Sequence, residues 1–287
     1  MYLSIKIHRV FLFVLSSVLL AGCFCGGTVA AVRQAEKKSG VPLPILMYHS
    51  VLRESRLQGA YVVSPQTLES DFVWLKENGY HTVVVRDLLD YVNGRAPLPE
   101  KPVMVTFDDG FYNNYYYAYP IAEKYHAKII ISPVGFYTDQ YTNGDADHPN
   151  YSYLTWGEIE EMSRSGVVEI QNHSYQMHST KGRYGSKKRK RESKSAYQAA
   201  LSLDLSKMQA AVLEHTGQAP TSFVYPFGAV SKESVPVLRE VGFQSSMNCM
   251  EKINFITHDP ECLFGLGRYL RPAGLSSDAY FQKIGLK

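Results

Sequence analysis

The sequence predicts an α/β fold with a parallel sheet or barrel. Two observations lead there: short apolar runs alternate with amphipathic segments along most of the chain, and a polar group follows each run at once. A third concerns the polar groups. His49, Asp108-Asp109, His173 and Pro226-Phe227-Gly228 each stand after an expected strand and before a helix, and in a parallel barrel those ends open on one face.

The elements follow in order. The domain opens with the strand Ile45-Leu46-Met47-Tyr48, ending in His49-Ser50. Ser64 is placed to cap a helix with Pro65 in its first turn, and Leu68, Phe72 and Leu75 recur at helical spacing until Asn78-Gly79. A strand is expected over 81–85, a short helix over 86–92, and a strand over 103–107 that ends in Asp108-Asp109-Gly110. A tyrosine-rich helix over about 115–125 and a strand over 127–132 come next. Thr155 with Glu158 predicts a capping box for a helix over 156–164. A strand over 167–171 ends in Asn172-His173. The helix over about 195–215, the strand over 222–225, the helix over 235–240 and the strand over 243–246 complete the pattern. No internal repeat or linker splits 41–287.

Composition narrows the class. With 287 residues, 45 % of them hydrophobic, the chain can bury a large core. A net charge of +3 gives no argument for nucleic acid. Lys6, His8 and Arg9 precede the apolar run from Val10 to Leu20, the pattern of a secretory signal and shorter than the roughly 20 residues a spanning helix needs. Leu20-Ala21-Gly22-Cys23 resembles a bacterial lipobox. Residues 1–22 are therefore expected to be a lipoprotein-type signal peptide, Cys23 a lipid anchor on the outer face of the cytoplasmic membrane, and 23–40 a linker; the alternative is a plain signal cut after Ala30 or Ala31 and a secreted protein. Cys249 and Cys262 are open to a disulfide or to two free thiols.

Two adjacent carboxylates at the end of a buried strand are costly to ionise unless a cation shares them. His173 and His178, five apart, lie about 140° apart on a helix and can meet only from a loop. With one aspartate they make a His₂Asp set for Zn²⁺ or a similar divalent ion with an open position for water. The second aspartate is then a base toward that water, and Gly110 lets the chain turn beside the ion.

These residues resemble the polysaccharide deacetylases with a NodB-like domain, the carbohydrate esterases that remove acetyl groups from N-acetylglucosamine polymers. Thr106-Phe107-Asp108-Asp109-Gly110 is similar to the first family motif, residues 172–178 to the second and Tyr225-Pro226-Phe227-Gly228 to the third. The likeness covers about 43–275, and within the family it points to the branch acting on biofilm poly-N-acetylglucosamine. The resemblance implies a distorted, incomplete (β/α) barrel over 41–287 and a metal-dependent N-deacetylase. It implies Asp108 as general base, Asp109, His173 and His178 as metal ligands, the Phe227 N–H as an oxyanion donor and His49 as general acid. Val224 stands where many members carry the arginine that orients the base. The fourth motif is not recognisable over 243–255, and Leu270-Arg271-Pro272 replaces the last.

Tyr48, Tyr112 and Trp156 are expected, with Pro226, to contact an acetylated polysaccharide. The eight basic residues of 181–194 read either as a solvated loop or as a contact to an anionic polymer, lipid headgroups or a long glycan. A glycoside hydrolase would need its two carboxylates about 5 Å or more apart on opposite sides of a sugar, which adjacent aspartates do not give. An inactive glycan-binding lipoprotein is the other alternative. The choice among poly-N-acetylglucosamine, peptidoglycan, chitin-like oligomers and acetylated xylan is left open.

Overall fold

Short apolar strands capped by polar turns need both faces covered, and in this chain helices cover one face while the strands close on each other to cover the other. The computed structural model describes residues 40–144 and 148–287, of which Pro42–Lys287 forms one compact unit. The signal peptide, Cys23 and all of the expected linker but Gly40 lie outside the described residues.

In chain order the elements that build the site are β1 (Ile45–Tyr48), α1 (Pro65–Glu77), β2 (His81–Thr82), α2 (Val85–Val92), β3 (Pro102–Asp109), α3 (Tyr119–Tyr125), β4 (Ile129–Pro133), α4 (Gly135–Thr142), α5 (Trp156–Arg164) and β5 (Val168–Ile170). They continue as α6 (Lys194–Thr216), β6 (Ser222–Val224), α7 (Ser234–Val241), β7 (Ser245–Met247), β8 (Tyr269–Leu270) and α8 (Ser277–Lys283). The sheet runs β8-β1-β3-β4-β5, with β2 beside the start of β3, and these pairings are parallel. Strands β6 and β7 pair in parallel as well. Single parallel bridges join Asn172 to Phe223 and Met247 to Leu266, and the chain after Leu266 leads into β8. The strands thus close on themselves, with one bridge in place of a full ladder at two seams. That is a distorted, incomplete β/α barrel.

Period-2 alternation sorts the side chains. Leu46, Val105, Phe107 and Ile131 pack outward against α1, α3 and α5, while Ile45, Met104, Ile130, Val224, Met247 and Leu266 form a second cluster closed by Val85 and Leu88 of α2. Asp108 alternates with Met104 and Thr106 and so shares their face.

Several elements differ from the sequence reading. The strand expected over 81–85 stops at Thr82, because Asp87 accepts the Val84 N–H at 2.9 Å and Glu169 accepts those of Val85 (3.0 Å) and Arg86 (3.1 Å), which starts α2 early. The tyrosine-rich helix opens as a π-turn over Asn114–Ala118. Helix α4 was not expected, since its apolar residues form no stripe. Cys249 and Cys262 are free thiols, so the disulfide alternative falls away.

Candidate metal centre and active site

Consecutive strand residues point to opposite faces, so Asp108 and Asp109 would ordinarily part company. Asp109 instead takes φ 69° and Gly110 φ 74°, and this left-handed pair turns both carboxylates into one cavity. Gly110 is required for space too: a Cβ there would fall 2.6 Å from Pro133 Cβ and 2.7 Å from its Cα.

The histidines are placed by the turn after β5. Asn172 Oδ1 accepts the Ser174 N–H at 2.8 Å, which holds Ser174 at φ 74°. From α6, Asp204 accepts the next two backbone N–H groups, those of Tyr175 (2.9 Å) and Gln176 (2.8 Å). His173 Nδ1 lies 2.7 Å from the Val224 carbonyl, which can only accept, so Nδ1 carries a proton and Nε2 is the ring atom turned toward Asp109. Nε2 of His178 is 3.0 Å and Nε2 of His173 3.5 Å from Asp109 Oδ1.

Asp109 Oδ1 is buried and makes no aligned hydrogen bond, though two imidazole nitrogens stand beside it. One ligand atom from each of Asp109, His173 and His178 lies within 4.8 Å of the others. A buried acceptor left unpaired is costly, and a cation shared by one oxygen and two nitrogens would remove the cost. The residues fit a divalent ion. Burial raises the Asp109 carboxyl, but the two imidazoles outweigh it and hold it well below the carboxylate range. Burial likewise lowers His173, and the Asp109 carboxylate overcomes this to raise it.

Asp108 is 2 % exposed and is gripped by an arginine that the sequence reading missed. Arg268 Nη1 donates to Oδ1 and Nη2 to Oδ2, both at 2.7 Å, and Nη1 also reaches Thr106 Oγ1 at 3.2 Å. Burial pushes the Asp108 carboxyl up, and Arg268 with the nearby imidazoles more than reverses that, leaving it below its ordinary value. Val224 therefore leaves no gap: Asp108, the expected base, has a guanidinium partner delivered from just before β8. Arg271 belongs elsewhere, forking onto buried Asp71 at 2.8 and 3.0 Å.

A cavity of about 580 Å³ gathers His49, Asp108, Asp109, His173, His178 and Phe227, six of the expected site residues. Burial lowers the pKa of His49, against the pull of Asp108 and Asp109, and its Nδ1 is buried without a hydrogen-bond partner. Phe227 takes φ 57°, its ring 4.4 Å from that of His178. The other four expected contacts do not line this cavity. Tyr48 is buried, stacked on Phe107, and its hydroxyl donates to Asp71 at 2.8 Å. Trp156 is buried against His215, with Nε1 donating to Asp139 at 2.7 Å. Tyr112 is buried beside Tyr115 and Tyr116, and Pro226 is buried under the turn it shapes. Tyr61, Phe111 and Tyr184 supply the cavity's other rings.

A parallel β/α barrel with a His₂Asp donor set at the carboxyl ends of its strands, beside an arginine-held aspartate, defines a class of candidate metal-centred barrel proteins. A family profile described as "Polysaccharide deacetylase" matches residues 95–246, more than half of the chain. The chain belongs to the polysaccharide deacetylase family. It is 25 % identical over 263 residues to a poly-beta-1,6-N-acetyl-D-glucosamine N-deacetylase of Escherichia coli (strain K12), covering 82 % of this chain and 39 % of that protein. It is 27 % identical over 192 residues to one of Staphylococcus aureus (strain MRSA252), covering 67 % and 62 %. The chain thus spans less than two thirds of the length of these relatives. Among solved structures, a de-N-acetylase from Aggregatibacter actinomycetemcomitans superposes with TM-score 0.70 at 28 % identity, over 85 % of this chain and 98 % of that one. IcaB from Ammonifex degensii gives 0.68 at 27 %, over 86 % and 97 %.

Proposed function

We propose that this protein hydrolyses N-acetyl groups of an N-acetylglucosamine polysaccharide, releasing acetate, with Asp109, His173 and His178 holding a divalent ion, Zn²⁺ by preference. The observation that carries the reading is the unpaired, buried Asp109 Oδ1 between two imidazole Nε2 atoms, next to an Asp108 fixed by the Arg268 fork. The names of the relatives support poly-N-acetylglucosamine as the substrate.

The bound ion would supply Lewis acidity at the acetyl oxygen. Asp108 takes a proton from water as the oxygen attacks the acetyl carbon, and Arg268 keeps that carboxylate aimed. The Phe227 N–H donates to the carbonyl oxygen as it gains charge. His49, which lines the same cavity, relays the proton taken up by Asp108 to the sugar nitrogen, the C–N bond breaks, and acetate and a free amine leave. An inactive glycan-binding role, which a partnerless base would favour, loses that support to Arg268.

The test is acetate release from poly-N-acetylglucosamine, with chelated and zinc-resupplied samples beside it. Release should vanish on chelation and return with zinc. Asp109→Asn, His173→Ala and His178→Ala should each lose metal by elemental analysis, whereas Asp108→Asn should keep metal and lose about a hundredfold or more in turnover. Full metal content in His173→Ala would sink the assignment. For the N-terminus we propose export and lipid anchoring at Cys23 on the outer face of the membrane; Cys23→Ala should then move the protein out of the membrane fraction.

A further inference from the structure

We infer that the segment 179–192 forms a charge-selective subsite beside the reacting sugar, where Tyr184 offers its ring to an N-acetylated unit and the surrounding cations turn away a glucosamine. The inference rests on the N-deacetylase reading and adds to it a rule for which stretches of polymer are used.

The placement comes first. Tyr184 lines the catalytic cavity and is 53 % exposed, so one ring face is free. Its ring lies 5.2 Å from that of Phe227, which in turn sits 4.4 Å from His178, so a row of rings leads outward from the candidate metal centre. Such a row suits the apolar face of a sugar. The backbone around Tyr184 is pinned. Gly185 donates to the Ser179 carbonyl at 2.9 Å, Tyr197 Oη to that of Ser186 at 3.0 Å, and Lys188 N–H to Ser231 Oγ at 2.9 Å. A Cβ on Gly185 would meet the Pro226 carbonyl at 2.6 Å, so the segment lies flat on the turn that carries Phe227.

The charge comes second. Glu192 is the acid of this segment, and Arg183 occupies it. Lys181, Lys187, Lys190 and Arg191 are exposed, and among the described residues none has a carboxylate at ion-pair distance. Lys181 and Lys187 are each three residues from Tyr184, so their Cα atoms lie within about 11 Å of its own, well inside the Debye length of about 30 Å at 0.01 M salt and beyond the roughly 3 Å at 1 M.

The reaction supplies the reason this matters. Each hydrolysis consumes a neutral amide and one water and leaves acetate and an amine that is protonated near neutrality. The polymer becomes cationic where it has been used, and the exposed cations flanking Tyr184 repel that stretch on this side of the cavity, opposite in sign to Glu251, which also lines it. Untreated, neutral stretches are not repelled.

The experiment compares two oligomers with the mature wild-type protein: one fully N-acetylated, one with a glucosamine beside the acetylated unit. The ratio of their kcat/KM values is read at low and at high ionic strength. We expect about fivefold preference for the fully acetylated oligomer at low salt, falling toward one at high salt. A K181Q/K187Q/K190Q variant should lose the preference even at low salt. Tyr184→Ala should raise KM about tenfold on both oligomers, and Tyr184→Trp should restore it. A ratio that neither salt nor the lysine substitutions move overturns the inference, including the case in which these cations serve an anionic polymer or headgroups instead. The wild-type salt series stands even if the triple variant fails to fold. Absence of acetate from both oligomers would instead strike the N-deacetylase reading beneath it.

Discussion

Arg268 is a fully buried cation whose main partner is the equally buried Asp108, so each charge is tolerable only because of the other. Arg268→Ala should leave Asp108 unpaired, costing about 3–5 kcal/mol of stability. If Asp108 is the base proposed above, the substitution should also lower turnover about a hundredfold by freeing that carboxylate, while metal content stays at the wild-type level because none of the three proposed donors pairs with Arg268. Arg268→Lys keeps the charge but not the fork, and should recover stability more than turnover. Denaturation curves, elemental analysis and acetate kinetics on the same samples check this; loss of metal in Arg268→Ala would give the residue a different role. The pair also marks the limit of sequence reading at this scale. Asp108, Asp109, His173 and His49 were legible as cavity residues because each stands at a strand end in a short, chemically unusual group, and His178 because it follows His173 by five residues in the same loop. Arg268 is 160 residues from Asp108, and nothing local distinguishes it from Arg271, which serves Asp71. Ring orientation was illegible as well: Tyr48 falls on the same strand face as Leu46, toward the outer core, while its neighbours Met47 and His49 turn into the cavity.

At the scale of elements, the turn ending β3 does the positioning. Gly110→Ala would place a methyl against Pro133 and force an L-residue to φ 74°. We expect a loss of about 1–3 kcal/mol and a tenfold or greater fall in metal affinity as Asp109 shifts. Thermal melts and a metal titration check this, and wild-type affinity in Gly110→Ala would show that β4 gives way without moving the ligand. The helices bounded by local signals were legible: α1 begins after Ser64 and α5 after Thr155, each side chain accepting an N–H three residues on. Boundaries and elements set by distant partners were not. Helix α2, expected from residue 86, cuts the preceding strand short where Glu169 of β5 receives its first N–H groups, and β8 is a strand because it pairs with β1.

At the scale of the molecule, the strands close because the last of them returns to the first, and the same return delivers Arg268 to Asp108 and Arg271 to Asp71. The donor set is likewise a product of the whole fold. Asp109 ends β3, while His173 and His178 belong to the turn after β5 that α6 holds through Asp204. An unfolded chain has no such arrangement, so a ligand of the three binds the native state alone. At a hundredfold excess over its dissociation constant it should add about 2.7 kcal/mol to stability. For a unit of this size each kcal/mol moves the midpoint by about 2–4 °C, so chelation should lower Tm by about 5–10 °C and zinc should restore it. Asp109→Ala, with the oxygen donor gone, should melt at nearly one temperature with or without chelator. Scanning calorimetry of both proteins decides the matter without any assay of activity. A wild-type Tm indifferent to chelation, in protein shown to release its metal, would mean that the donors hold no ion tightly and that the buried Asp109 oxygen is satisfied in another way.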